Sequence, residues 1–116
     1  MDKYLPFVTR DICRKIRLQD ILRIEQRGRL VAIVTEKDVY EKYGRIEDLE
    51  QYLDDRFYHC LKNVIINFQQ VSMMKNQTIY FKNSEEYFLG RQSYIKARQT
   101  FAIYIKNPCN CNGFVV

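Results

Sequence analysis

The chain of 116 residues predicts a mostly-β fold of antiparallel strands with one or two short helices. Nine Tyr and seven Phe stand against four Gly and two Pro, and aromatic side chains fit a pleated surface better than a helical bundle. Short apolar runs bounded by turn residues recur along the chain, and only one segment carries a good helical spacing. A hydrophobic fraction of 47% and a charged fraction of 28% are those of a folded chain, and this length suits one domain, residues 1–116, that buries its core without staples.

In order, Leu5 to Val8 forms a first short strand that Pro6 confines to an edge. Ile16-Arg17-Leu18 alternates as a strand does. Ile21 to Glu25, the turn around Gly28 and the apolar run Leu30 to Val34 make a hairpin. Ile46, Leu49 and Leu53 recur at three and four residues, so a helix follows Gly44 and stops at Asp54-Asp55, whose charges oppose the dipole at that end. Phe57 to Asn67 pairs a buried run, Val64 to Ile66, with Lys62 and Asn63, which are presented to a partner. Val71, Met73 and Thr78 to Phe81 flank the turn Lys75-Asn76-Gln77. Lys82 to Glu85 turns again before Tyr87 to Leu89, completing a meander. Ser93 to Gln99 makes a helical turn, Phe101 to Ile105 is a last apolar element, and 107–116 is a loose tail.

Charge is unevenly spread. From Met1 to Asp55, eleven Lys and Arg face twelve Asp and Glu; from Arg56 to Val116, eight face two, giving −1 against +6. A polyanion is the partner this suggests, nucleic acid ahead of a membrane surface, with a merely solubilising surface as the alternative. No apolar run has the length of a signal peptide or a membrane span, so a cytoplasmic location with free thiols is expected.

Several features together resemble the LytTR family of bacterial DNA-binding domains, over roughly Ile16 to Arg98. Asp20-Ile21-Leu22-Arg23-Ile24-Glu25 is similar to the family's D-I-x-x-I-E, and the segment Ile46 through Leu53 to its helix. Phe57 followed by Val64-Ile65-Ile66-Asn67 looks like F-x-R-x-H-R-S-x-x-V-N, and Gly90-Arg91 before Tyr94 like S-R-x-Y. The pattern departs from the family at His59, Leu61, Asn63 and Gly90, where it has Arg, His, Ser and Ser. The resemblance implies elongated, sandwich-like antiparallel sheets whose loops enter successive major grooves of double-stranded DNA at paired repeats, as in a transcriptional regulator. A homodimer on DNA is part of that expectation. The family's usual receiver domain has no room here, so input from a partner, a ligand or the protein's own abundance is expected. The other reading is an interaction module of the same fold that modulates a related regulator by heterodimerising.

By position, the resemblance places base-reading loops at Arg29, Lys62 and Arg91. An Arg fork can bond O6 and N7 of guanine, whereas an ammonium more often sits on phosphate. Gly90 lets the backbone approach a phosphate or turn tightly. Asn63 can bond adenine through its amide or cap a turn. Arg27, Lys75, Lys82, Lys96 and Arg98 are candidates for phosphates, each also an ordinary solvated side chain.

No residue pattern implies a cofactor or metal. His59 and Cys60 adjoin, and strand neighbours point to opposite faces, which argues against a catalytic pair. Cys109-x-Cys111, with Cys13 and Cys60, lacks the usual zinc-knuckle spacing. Tyr80, Phe81, Tyr87 and Phe88 are read as core rather than as stacking platforms for bases. Only Glu85 and Glu86 remain as carboxylates after Asp55, too few for a metal-dependent nuclease, so no enzyme is expected.

Overall fold

Tyr4–Val8 (β1) and Cys13–Arg17 (β2) pair antiparallel as a two-stranded sheet, with Pro6 opposite Lys15. A proline is tolerated there because β1 has a neighbour on one side only. This computed structural model describes residues 2–110. Leu18 does not continue the strand; it is buried at the start of a 3-10 turn, Leu18–Asp20.

The hairpin around Gly28 forms as expected, from Ile21–Arg27 (β3) and Leu30–Thr35 (β4). Gly28 has a φ of +63°, a conformation that costs any residue with a Cβ. β4 pairs next with Val39–Tyr43 (β5), a strand the sequence patterns had not marked. Phe57–Leu61 (β6) and Val64–Asn67 (β7) form a second hairpin, giving a five-stranded antiparallel sheet in the order β5-β4-β3-β7-β6.

One face of this sheet carries Ile24, Val31, Ile33 and Ile65. It packs against Leu5, Phe7 and Ile16 of the small sheet and against Ile46 and Leu49. Cross-strand pairing aligns Ile24 with both Ile33 and Ile65, so strand alternation alone builds the core. Each such side chain contributes roughly 1.5–3 kcal/mol by leaving water. The segment Ile46–Tyr52 does cover this core, but as a 3-10 helix rather than an α-helix. A three-residue turn puts Ile46 and Leu49 directly in line, both buried, and leaves Leu53 as the extended residue that ends it.

Along the opposite face Arg23, Glu25, Arg27 and Glu41 form a ladder of ion pairs at 2.6, 2.9 and 3.2 Å. Burial alone would raise the Glu25 pKa, yet hydrogen bonds from Arg23 and Arg27, with their charges, hold it below the ordinary carboxylate range. Among the described residues Asn67 is the one buried polar residue, at 0% exposure. Its amide donates to the carbonyls of Leu18 and Ile21 at 3.0 and 2.8 Å and accepts from the Gln69 N–H at 2.9 Å, so every bond it needs is made.

These elements belong to one compact unit, Met1–Gln70; Val71–Val116 is a second. In the second, Val71–Lys75 (β8), Thr78–Phe81 (β9) and Glu86–Phe88 (β10) form the expected meander, a three-stranded sheet. Asn76 and Gln77 turn with φ of 52° and 62°, the paired positive values of a tight hairpin turn. Ile79 and Phe81 point to the buried side as expected, but Phe88 does not: it is 68% exposed.

The helical turn and last apolar element expected between Ser93 and Ile105 are one α-helix, Arg91–Lys106 (α1), the longest helix in the described residues. Its inward stripe has Ala97 and Phe101 buried and Tyr94 and Tyr104 half-buried, a three-four spacing that overrides the strand-like composition of Phe101 to Ile105. Of the expected loose tail, Pro108–Asn110 makes a 3-10 turn tied back by the Asn110 amide to the Tyr104 carbonyl at 3.0 Å. Cys111, Asn112 and Gly113 lie outside the described residues.

Candidate nucleic-acid interface

In the first unit the strand order brings two turns side by side. β3 ends where β7 begins, Glu25 opposite Val64, so the turn bearing Arg29 and the turn Lys62-Asn63 share one end of the five-stranded sheet. The Gln26 N–H donates to the Asn63 carbonyl at 2.9 Å and joins them. The Gln26 amide nitrogen donates to the carbonyls of Gly28, Leu30 and Gly44 at 2.9, 3.1 and 3.0 Å. Its oxygen accepts from the Ile46 N–H at 2.7 Å. One half-buried side chain thus fixes the Gly28 turn against the corner that leads into the 3-10 helix.

Arg29, Lys62 and Asn63 are all exposed at this end. Among the described residues neither cation forms an ion pair, and the Asn63 side chain makes no hydrogen bond. Asn63 therefore does not cap its turn; only its carbonyl is used. Arg27, on the same turn, has its charge met by Glu25 and Glu41. Sequence reasoning missed three residues of this end: Gln26, Arg45 and Tyr43, the last 78% exposed. The Gly44 N–H donates to the Arg29 carbonyl at 3.1 Å, which brings Arg45 beside Arg29, with Glu47 3.3 Å from the Arg45 guanidinium.

The second unit gathers its candidates differently. Lys75 lies opposite Thr78, and Thr78 opposite Phe88, at the end of the sheet where β10 runs out towards Gly90. Arg91 is thus the first residue of α1 rather than a loop residue. Gly90 caps that helix with ordinary extended backbone, φ −61°, and an added Cβ would meet nothing within 4 Å, so neither a tight turn nor a contact within the protein requires glycine there. The first turn of α1 holds no acidic residue, so Arg91 sits uncompensated where the helix dipole disfavours a cation.

Arg98 follows Arg91 by seven residues and shares its helix face about 10 Å further along. Lys96 and Arg98 flank the buried Ala97 on opposite sides of the helix. Lys82 follows Phe81, at the far end of the three-stranded sheet from Lys75. His59 is exposed, while Cys60 is buried with its thiol on the Val64 carbonyl at 3.7 Å. Burial pushes that thiol up to about 11, far from a reactive thiolate.

The model of the LytTr DNA-binding domain matches residues 12–102. The chain therefore belongs to the LytTR DNA-binding family. Among solved structures it is similar to the LytTr DNA-binding domain of a protein described as a methyl-accepting/DNA response regulator from Bacillus cereus. That match has a TM-score of 0.67 at 16% identity over 86% of this chain and 96% of the other, and shows a common fold. No curated protein matches. Among the described residues no helix is long and apolar enough to cross a membrane.

Proposed function

We propose that the protein binds double-stranded DNA sequence-specifically through the major groove and acts as a transcriptional regulator. Family membership over residues 12–102 carries the reading. The exposure of Arg29, Lys62, Asn63 and Arg91, none of them engaged in an ion pair among the described residues, supports it.

In this reading each unit contributes one contact region. Arg91, at a helix start that an anion would relieve, is the residue suited to a guanine, because its fork matches O6 and N7. Asn63 is suited to adenine, Lys62 to a phosphate beside it, and Arg29 to the backbone or a base edge at the same end of the sheet. Lys75, Arg98 and Arg45 supply phosphate contacts that set register. Arg27 contributes through Glu25 and Glu41 to the stability of its turn more than to DNA. Two copies on paired repeats bind cooperatively.

Selection of duplexes from a randomised library, followed by mobility shift at moderate salt, tests the proposal. One enriched motif is expected, bound at least about 10³-fold tighter than scrambled DNA. Retention of duplexes without any enriched sequence contradicts it.

A further inference from the structure

The geometry points to Phe88 as a specificity-determining residue that packs its ring on the 5-methyl group of a thymine next to the base read by Arg91. The inference rests on the DNA-binding reading above and adds a base preference to it.

Phe88 is the last residue of β10 and is 68% exposed, whereas Leu89 after it is buried at 1%. Strand alternation turns the ring outward, and the backbone under it is held. The Leu89 N–H donates to the Gln77 carbonyl at 2.9 Å, and the Gln77 amide donates to the Leu89 carbonyl at 3.1 Å. Across the sheet Phe88, Thr78 and Lys75 line up in register, so the ring shares its row with a cation. Three residues beyond it in sequence, Arg91 opens α1.

An apolar ring with Lys75 in its row and Arg91 just beyond it suits an anionic surface that also presents an apolar group. In the major groove the thymine methyl is that group. From Val71 to Val116 six Lys and Arg face two Glu, an electropositive setting that favours DNA over a protein partner for this surface. On the same face Met73 and Tyr80 lie opposite each other two rows further from Arg91, which leaves Phe88 as the aromatic side chain of that face at the Arg91 end of the sheet.

The test uses the duplex the full chain selects, with each thymine replaced in turn by deoxyuridine, which removes the methyl alone. For the wild type, one replacement weakens binding about fourfold, the effect of withdrawing one methyl-sized group from an apolar contact. Phe88→Ala weakens the unmodified duplex by a similar factor and shows no further loss with deoxyuridine at that position. Phe88→Leu keeps most of the discrimination. If no replacement matters, if Phe88→Ala responds to it as the wild type does, or if Phe88→Ala binds the unmodified duplex normally, the assignment of Phe88 falls while DNA binding stands. If the chain selects no duplex, both fall.

Discussion

Asn67, at 0% exposure, ties β7 through its side-chain amide to the 3-10 turn that precedes β3. Replacing Asn67 with Ala removes its bonds to the Ile21 carbonyl and the Gln69 N–H, at about 1–3 kcal/mol for each group left buried without a partner, while the Leu18 carbonyl keeps the Ile21 N–H. Urea unfolding of Asn67→Ala should show a loss of at least about 2 kcal/mol with an unchanged slope. Gly90 gives the opposite case. Its backbone is extended and a Cβ there meets open space, so Gly90→Ser should stabilise α1 by a few tenths of a kcal/mol by capping its first turn, read as a small rise in Tm. Arg91→Ala should leave stability within about 0.5 kcal/mol and cost about 1–3 kcal/mol of binding at one base position. Arg91→Lys should not restore the preference, because an ammonium lacks the fork.

The elements differ in how far the sequence foretells them. Gly28 and the tight turn at Asn76-Gln77 punctuate their hairpins locally, so β3, β4, β8 and β9 are legible from neighbouring residues. β5 is not, because Val39, Glu41 and Tyr43 lie exposed along it and only pairing with β4 orders them. Without β5, the approach of Arg45 to Arg29 is invisible, and so are the Gln26 bonds to Gly44 and Ile46, which span 18 and 20 residues. The 3-10 helix and α1 are hard to read from sequence for opposite reasons: Ile46 and Leu49 fit either kind of helix, and Phe101 to Ile105 has strand composition on a helical spacing. The ion-pair ladder adds a pH dependence to the five-stranded sheet. The Glu25 pKa is depressed in the fold, and so is that of Asp54, where bonds from Arg56 and Lys3 outweigh burial. Their contribution is therefore complete above the unfolded carboxylate range and is lost as pH falls through the folded values. Denaturant midpoints should be level from pH 7 to about pH 5 and decline below about pH 4. Glu25→Gln should lower the plateau and flatten the decline, and an unchanged acid limb would remove Glu25 from this role.

At the scale of the whole chain, a net charge of +5 is less informative than its placement. The first unit, Met1–Gln70, holds thirteen Lys and Arg against twelve Asp and Glu, so its candidate contacts are individual exposed residues at one end of a sheet. The second holds six against two, and there the field itself attracts a polyanion. Family membership was visible in four short motifs, whereas the residues gathered around them became visible only through strand order. The central claim is that cations on turns and at a helix start reach base edges in the major groove. Methylation interference at guanine N7, which lies in that groove, tests it most directly on the selected duplex. Methylation of particular guanines should block the wild type, and the block at one of them should disappear with Arg91→Ala; interference confined to minor-groove adenine N3, or none at all, would contradict it.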